Sequence, residues 1–199
     1  MVKIIEGNAA ILVIDMQYDF MPEGPIPSVG GWDIVPRINR LTEAGRKAGI
    51  PVIFFQEFHR KTGVDFGREF DRGKRYHGIE GTHGVDIVKE LKIEEGDYRI
   101  EKPRYSVFLG TGLEYLLNGL DILPGDTLIM VGMDTDVCVH YSAADAHQRD
   151  YRVRVIEECC AGNTREEHEA ALIAIQRCQA GSRMKLEEML DAIAKYKQE

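Results

Sequence analysis

The sequence TLIMVGMDTDVC, residues 127–138, decides the fold, because an apolar run of strand length is followed at once by the start of a helix. Residues 127–133 are almost entirely apolar, which is typical of a strand covered on both faces of a sheet. The pattern of residues 136–149 predicts a helix, and residues 152–157 alternate like another strand. Strand, helix and strand in this order predict a right-handed crossover between parallel strands.

The same alternation extends on both sides of this unit. The helix that begins after Thr164 has a capping box, because Glu167 follows three residues later. The elements together predict a three-layer α/β/α fold, Rossmann-like in outline, with an open, mainly parallel sheet of five or six strands and helices on both faces. No repeat or linker divides the chain, so we expect a single domain over residues 1–199. The other predicted strands are 9–15, 51–55, 98–102 and, briefly, 182–185, and the other predicted helices are 34–48, 85–91, 111–117 and one at the C-terminus.

The composition restricts the classes of function. Apolar residues make up 44% of the 199 residues, and no run reaches the roughly 18 apolar residues of a membrane span. Residues 1–7 lack the apolar core of a secretory signal, so we expect a cytoplasmic protein without a membrane partner. The net charge of −8 argues against nucleic acid as a partner.

The four cysteines are expected to be reduced thiols, because a cytoplasmic chain of this size has no need of disulfides. Cys159 and Cys160 end a predicted strand, and Cys178 lies on an apolar face of its predicted helix. These three are interpreted as packing residues. Cys138 has a different position and is considered next.

Three polar residues lie where predicted strands end. Asp15 ends the first strand, Lys102 ends the third, and Cys138 follows the fourth. Open parallel sheets bind ligands at the carboxyl ends of their strands, so these side chains are predicted to converge on one edge. A thiol, a carboxylate and an ammonium are the groups needed to activate a cysteine nucleophile. The helix start and Lys102 are expected to lower the pKa of the Cys138 thiol.

Each of these residues also has a structural interpretation. A buried cysteine is more often a packing residue than a nucleophile. Asp15 is equally compatible with a backbone contact in the turn over residues 16–20, and most lysines are simply solvated. The residues taken singly leave both interpretations open.

Four longer motifs extend along the chain: LVIDMQYDF at 12–20, EKPRYSVFLGT at 101–111, VGMDTDVCVHYSAADA at 131–146 and YRVRVIEECCAG at 151–162. In this order and at this spacing they resemble the isochorismatase-like cysteine hydrolases. That superfamily includes nicotinamidases, N-carbamoylsarcosine amidohydrolase, ureidoacrylate amidohydrolase and the biuret or triuret hydrolases. The resemblance implies the open parallel sheet and hydrolysis of a carbon–nitrogen bond.

The resemblance also implies a role for each strand-end residue. Asp15, Lys102 and Cys138 match the family's catalytic triad as proton shuttle, supporting cation and nucleophile. A cis peptide bond between Met133 and Asp134 is implied too, with an oxyanion hole formed by the backbone N–H groups of Asp134 and Cys138. Such a mechanism requires no organic cofactor. The family resemblance further implies a homo-oligomer, a dimer or a tetramer.

The sequence departs from nicotinamidases in the segment where those enzymes bind a metal ion. Their ligand set is Asp-x-His with two further histidines in the following loop. This chain has Glu57 and His59 at the first pair, Asp65 near the next position and His77 at the last. Carboxylates and imidazoles both suit zinc or manganese, but these departures lead us to expect no metal, with the four residues as weak candidate ligands. Loop hydrogen bonding is the alternative role of the two histidines.

The segment FHRKTGVDFGREFDRG, residues 58–73, resembles the loop of the ureide-type members. It carries Arg60, Arg68 and Arg72 near the expected pocket entrance, and Arg60 is a candidate for binding a carboxylate or a ureide through its planar guanidinium. The alternative is that these arginines are surface charges opposite nearby acidic residues. Helix packing explains Tyr141 as well as substrate contact does. The candidate substrate-binding residues are Phe20, which matches a pocket-lining position of the family, His59, Arg60 and Tyr141.

The presence of a cysteine favours an amide or ureide substrate, because true isochorismatases hydrolyse a vinyl ether without this nucleophile. We therefore predict a cysteine-dependent amidohydrolase of a small molecule, with biuret-like, triuret-like or N-carbamoyl compounds as substrates. Nicotinamide hydrolysis is the second hypothesis. A protein of another class, a thiol redox sensor or a non-catalytic binding subunit, is the further alternative, with Cys138 oxidised rather than acylated.

Overall fold

The computed structural model describes residues 3–71 and 75–196. In this part of the chain the strands are β1 (Ala9–Ile14), β2 (Val52–Glu57), β3 (Tyr98–Lys102), β4 (Thr127–Met133), β5 (Arg152–Ala161) and β6 (Arg183–Met184). The α-helices are α1 (Gly31–Lys47), α2 (Leu113–Gly119), α3 (His140–Gln148), α4 (Arg165–Cys178) and α5 (Leu186–Ala194). Short 3-10 turns lie at Tyr18–Phe20 and Arg68–Phe70, and a π-helical turn lies at Thr135–Val139.

The strand order is β3-β2-β1-β4-β5-β6, and every pairing of neighbouring strands is parallel. The chain adds strands on one side of β1 as far as β3 and then crosses to the other side with β4. The carboxyl ends of β1 and β4 therefore flank the crevice where open parallel sheets bind ligands. The predicted parallel sheet is confirmed, with six strands.

The alternation of side chains along β1 explains why helices cover both faces of the sheet. Ile11 and Val13 belong to one cluster of buried residues, whereas Leu12 and Ile14 belong to another. The first cluster contains the apolar faces of α1 and α5, and the second contains those of α2, α3 and α4. This arrangement is the three-layer α/β/α fold predicted from the sequence.

Residues 85–91 do not form the predicted helix. Val85, Val88 and Leu91 are buried, so their spacing of three reflects contact with the core. The backbone of the segment bonds to the turn after β1, where the N–H of Val88 donates to the carbonyl of Met16 at 2.9 Å. Because the backbone groups are satisfied by a distant segment, the apolar spacing needs no helix.

The helix predicted from residue 136 begins with an irregular turn. Residues Thr135–Val139 are π-helical, and α3 starts only at His140. Single π-turns of this kind are often found at functional sites. The predicted cap of the following helix is confirmed, since Thr164 Oγ1 accepts the N–H of Glu167 at 3.1 Å. None of the helices described combines the length and apolar content needed to cross a membrane.

The interpretation of Cys178 as a packing residue is wrong. Cys159 and Cys160 are buried as expected, but Cys178 is exposed at the end of α4. The helix places Leu172 and Ile175 against the sheet and turns position 178 outward.

Candidate active site

Three strand ends meet at one edge of the sheet. Asp15 follows β1 directly, Lys102 is the last residue of β3, and Cys138 lies in the π-turn after β4. The Lys102 Nζ atom is 2.6 Å from Asp15 Oδ2 and 3.4 Å from Cys138 Sγ. Asp15 has a φ of +50°, a left-handed conformation that is uncommon for residues other than glycine and clusters at active sites. The structure thus brings together the three residues that the sequence predicted to converge.

The Lys102 ammonium forms an ion pair with Asp15 and donates two hydrogen bonds. Besides Asp15 and Cys138, it donates to the carbonyl of Arg104 at 3.0 Å. Burial alone would lower the pKa of Lys102, but the charges of Asp15, Cys138 and Glu57 outweigh it and raise that pKa. The side chain therefore remains a cation although it is fully buried.

The Asp15 carboxyl has a raised pKa, about 6. Burial is the main cause and the negative charge of Glu57 adds to it, while the Lys102 ammonium opposes both. This value lies close to neutral pH, where a general base is most effective. Asp15 can therefore exchange a proton under ordinary conditions.

The expected lowering of the Cys138 pKa at a helix start is wrong. Burial raises the pKa of this thiol well above its usual range, and Asp15 and Glu57 add to the effect, although Lys102 opposes it. The thiol lies within an irregular turn and beside two carboxylates, so the favourable charge of a helix start is outweighed. The raised pKa means that the thiol needs a base to take its proton during a reaction.

A second carboxylate, from Glu57 at the end of β2, faces the same thiol. Its Oε2 atom is 3.8 Å from both Lys102 Nζ and Cys138 Sγ. Its Oε1 atom lies 3.2 Å from His59 Nε2 and 3.0 Å from His77 Nε2. Burial would raise the pKa of Glu57, but the hydrogen bonds from the two histidines and the charge of Lys102 hold it well below its usual range. The strand-end rule that found Asp15 would also have found Glu57, which the sequence analysis considered only as a metal ligand.

The four weak metal candidates do not point their donor atoms at one ion. Ligand atoms about 2.0–2.2 Å from the same ion lie at most ~4.4 Å apart. Among the described residues, the acidic, thiol and imidazole groups within 4.8 Å of one another are Asp15–Glu57–Cys138 and Glu57–His59–Glu69, and neither group contains His77 or Asp65. Asp65 faces His59 Nδ1 at 4.0 Å, whereas Glu57 faces Nε2 of the same ring. The four candidates therefore do not form one ligand group, because Asp65 and His77 lie outside the group of Glu57, His59 and Glu69.

An aromatic wall formed by Phe66, Phe70 and Tyr76 covers the two histidines. The Phe66 and Phe70 rings stack with their centroids 4.4 Å apart. Phe70 lies 5.2 Å from the His59 ring and 5.0 Å from the His77 ring. The wall packs against the histidine rings that contact Glu57, and its members were not identified from the sequence.

The other predicted binding residues occupy different surroundings. Phe20 is buried and meets the His77 ring edge-to-face, with centroids 5.6 Å apart. Arg60 pairs with Glu80 at 3.4 Å and lies over the ring of Phe58, which agrees with the surface-charge interpretation. Tyr141 is 54% exposed and stacks on Tyr105 at 5.7 Å. Arg68 pairs with exposed Asp71, and Arg72 lies outside the described residues.

The turn before the nucleophile is held by Asp134. The Met133–Asp134 peptide bond is cis. The Asp134 carboxyl accepts a hydrogen bond from the Ser28 hydroxyl and lies 3.5 Å from the Asn163 side-chain nitrogen. Burial raises the pKa of Asp134 to about 7. This carboxyl therefore links the turn to loops that follow β1 and β5.

Comparisons with known proteins agree with this geometry. The sequence model of the family described as the isochorismatase domain matches residues 9–184. A probable inactive nicotinamidase from Arabidopsis thaliana is 38% identical over 175 residues, which cover 83% of this chain and 87% of that protein. A ureidoacrylate amidohydrolase from Rhizobium rhizogenes is 29% identical, covering 76% of this chain and 70% of that protein. The crystal structure of an isochorismatase family protein from Desulfovibrio vulgaris superposes with a TM-score of 0.84 at 30% identity, covering 95% of this chain and all of that one.

Proposed function

The chain belongs to the isochorismatase family of hydrolases, and from this membership we propose a cysteine-dependent amidohydrolase that cleaves a carbon–nitrogen bond of a small amide or ureide. The observation that carries the proposal is the position of the Lys102 ammonium. It lies 2.6 Å from an Asp15 oxygen and 3.4 Å from the Cys138 sulfur, in a fully buried position. One cation thus contacts both the proposed base and the proposed nucleophile, which is an arrangement for activating a thiol.

Two carboxylates lie near the thiol, and their pKa values decide which of them takes its proton. The pKa of Asp15 is about 6, whereas that of Glu57 is held well below its usual range. A carboxylate that stays ionised at every working pH is a weak base, and one that titrates near neutrality is an effective one. Asp15 is therefore the proton shuttle, and Glu57 remains an anion.

The reaction has two halves that share these groups. Asp15 takes the thiol proton while Lys102 stabilises the thiolate, and Cys138 Sγ attacks the substrate carbonyl carbon. The backbone N–H groups of Asp134 and Cys138 bind the resulting oxyanion. Protonated Asp15 gives its proton to the leaving nitrogen as the carbon–nitrogen bond breaks, which leaves a thioester on Cys138. Asp15 then takes a proton from water, the hydroxide attacks the thioester carbon, and the carbon–sulfur bond breaks as Asp15 returns that proton to the Cys138 sulfur.

Ureides and N-carbamoyl compounds are the favoured substrates. The similarity to a ureidoacrylate amidohydrolase supports this class. The misfit of Glu57, His59, Asp65 and His77 to one metal ion weakens the case for a nicotinamidase of the metal-binding type. Nicotinamide stays the second candidate, because a relative that is 38% identical is named a probable inactive nicotinamidase. Biuret-like and triuret-like compounds are the first to test, with a homo-oligomer as the proposed state of the enzyme.

Ammonia release by the purified protein tests the proposal. The panel contains biuret, triuret, ureidoacrylate-like compounds, N-carbamoyl amino acids and nicotinamide, and Cys138→Ala is the control. We expect release with at least one ureide and none from the control. Asp15→Asn should bind the substrate but hydrolyse it far more slowly, which separates an enzyme from a binding subunit. A folded protein that is silent across the panel would instead support a redox sensor or a binding role.

A further inference from the structure

Glu57 has no step in the mechanism above, although its carboxylate accepts a hydrogen bond from the Cys138 thiol. Its side chain is 2% exposed, and Oε2 is 3.8 Å from both Cys138 Sγ and Lys102 Nζ. Oxygen atoms of Glu57 and Asp15 and the sulfur of Cys138 all lie within 4.8 Å of one another. Two buried carboxylates therefore share one ammonium and one thiol, and a buried charge needs a reason to be there.

The backbone of Glu57 is clamped by Gln17, which is itself fully buried. The Gln17 side-chain oxygen accepts the N–H of Glu57 at 2.8 Å, and its amide nitrogen donates to the Glu57 carbonyl at 3.0 Å. Both backbone groups are thus occupied by one side chain from the turn after β1. The position of Glu57 is set relative to Asp15, two residues before Gln17 in the same turn.

Two histidines occupy one oxygen of the Glu57 carboxylate. His77 Nδ1 lies 2.8 Å from the Arg75 carbonyl, which cannot donate, so this nitrogen carries a hydrogen. His77 Nε2 lies 3.0 Å from Glu57 Oε1, and an ionised carboxylate cannot donate either. The contact of Nδ1 with the Arg75 carbonyl thus orients the ring so that Nε2 faces Glu57 Oε1. His59 Nε2 makes a second contact to the same oxygen at 3.2 Å.

We infer that Glu57 is a further catalytic residue, a fixed carboxylate that accepts the hydrogen bond of the Cys138 thiol at rest and sets the charge around Asp15. Its Oε1 atom is occupied by the two histidines, so only Oε2 faces the reacting groups. A constant negative charge there disfavours a second negative charge on either neighbour, which makes Asp15 a stronger base and holds the thiol neutral until substrate binds. The inference rests on the proposed function, because it assigns Glu57 a part in the same reaction.

The charged and titratable groups around Asp15 and Glu57 come from every element packed against these two carboxyl groups. Asp15 is faced by Lys102, Cys138 and Glu57. Glu57 is faced by the imidazoles of His59 and His77, by Lys102 and by Cys138. Replacing Glu57 by glutamine removes one negative charge from this set with nearly the same side-chain shape.

The test compares Glu57→Gln with the wild type and with Glu101→Gln. Glu101 precedes Lys102 on β3, is exposed, and points to the opposite face of the strand, so its substitution is a matched change of charge outside the site. The readouts are the rate of Cys138 alkylation by iodoacetamide, followed by mass spectrometry, and kcat/KM between pH 5 and 9. Circular dichroism checks that each variant is folded.

We expect Glu57→Gln to alkylate about tenfold faster at pH 7.5 and to turn over more slowly, with the acid limb of kcat/KM moved about one pH unit lower. A loss of structure would also expose the thiol to iodoacetamide and slow the enzyme, so the shift of the acid limb in a folded variant is the deciding readout. Glu101→Gln should leave both readouts unchanged. An unchanged or slower alkylation of folded Glu57→Gln, or the same shift in the control, would overturn the inference.

A second variant keeps the test decisive if Glu57→Gln does not fold. Glu57→Asp retains the charge and withdraws it by one methylene, so its alkylation rate should lie above that of the wild type by less than tenfold. An alkylation rate equal to that of the wild type would count against the inference. So would a stoichiometric divalent ion in the purified wild type that Glu57→Gln loses, because Glu57 would then be a ligand. If Glu57→Gln changes the alkylation rate as expected but no substrate releases ammonia, the effect of Glu57 on the thiol stands and the proposed hydrolysis is wrong. Failure of the inference and failure of the proposed function can therefore be told apart.

Discussion

At the scale of single residues, opposing environments give two neighbouring carboxyl groups different roles. Asp15 is buried against a carboxylate and one ammonium, whereas Glu57 accepts hydrogen bonds from two imidazoles. The first is therefore able to titrate near neutral pH and the second is not. Separation of two such pKa values is a general way in which an enzyme assigns acid and base.

The pH dependence of catalysis should report Asp15. Only the ionised form can take the thiol proton, so kcat/KM should fall about tenfold per pH unit below about pH 6, the raised pKa of this carboxyl. Asp15→Asn should lower kcat/KM by at least about 100-fold and abolish the fall in kcat/KM at acid pH. The measurement is kcat/KM of both proteins against the best ureide from pH 4.5 to 8. A variant that keeps the same acid limb would show that another group titrates there.

Asp134 should make the protein less stable as the pH rises. Its pKa is raised by burial from 3.8 to about 7, so the folded state holds a proton that the unfolded state has lost over that range. Stability from this group is present below about pH 4 and is lost as the pH rises to about 7. Asp134→Asn removes the penalty and keeps an acceptor for Ser28, so it should raise Tm at pH 8 by at least about 3 °C. The difference from the wild type should vanish at pH 4, and an equal gain at both values would contradict this account.

At the scale of elements, the close approach of β1 and β4 positions the site. Gly132 has a φ of +117°, and a Cβ at this position would overlap the backbone carbonyl of Ile14, directly before Asp15. No side chain fits without parting the two strands that flank the crevice. The glycine is therefore a requirement of the sheet and of the site together.

Gly132→Ala should therefore lower both stability and activity. We expect a loss of at least about 3 kcal/mol in the free energy of unfolding, from backbone strain and overlap, with turnover lost because Asp15 moves. Urea denaturation measures the first and ammonia release the second. Gly119→Ala is the matched control, since a Cβ there meets no atom within 4 Å and the backbone is not left-handed. A mild effect at Gly132 equal to that at Gly119 would refute the argument.

At the scale of the whole molecule, packing sorts the cysteines into two classes. Cys178 is exposed, whereas Cys159 and Cys160 are buried beneath helices on opposite faces of the sheet. Burial raises the pKa of Cys159 to about 12 and raises that of Cys160 as well. Neutral, buried thiols react slowly with disulfide reagents, so the exposed cysteine should react before the two buried ones.

Titration with a disulfide reagent in the Cys138→Ala background tests this sorting. One thiol per chain, Cys178, should react at once in the native protein, and the other two should react only as urea unfolds it. Adding Cys178→Ser should remove the fast phase entirely. Persistence of that phase would place a buried cysteine within reach of solvent and contradict the packing described.

The sequence by itself determined the alternation of strands and helices, the two covered faces of the sheet, and the convergence of Asp15, Lys102 and Cys138. These follow from apolar periodicity and from the rule that parallel strands end at one edge, both of which act along the chain. Tertiary structure alone decided that residues 85–91 would not be a helix and that Cys178 would face solvent.

Packing also decided the chemistry of the site. The pKa of Cys138 is raised rather than lowered because distant segments bury it beside two carboxylates. Glu57 lies beside the nucleophile while His59 and His77 contact its other oxygen, and the His77 contact connects the strand end to a loop 20 residues later. Desolvation and charge proximity depend on which segments meet in space, and no local pattern of residues records that meeting.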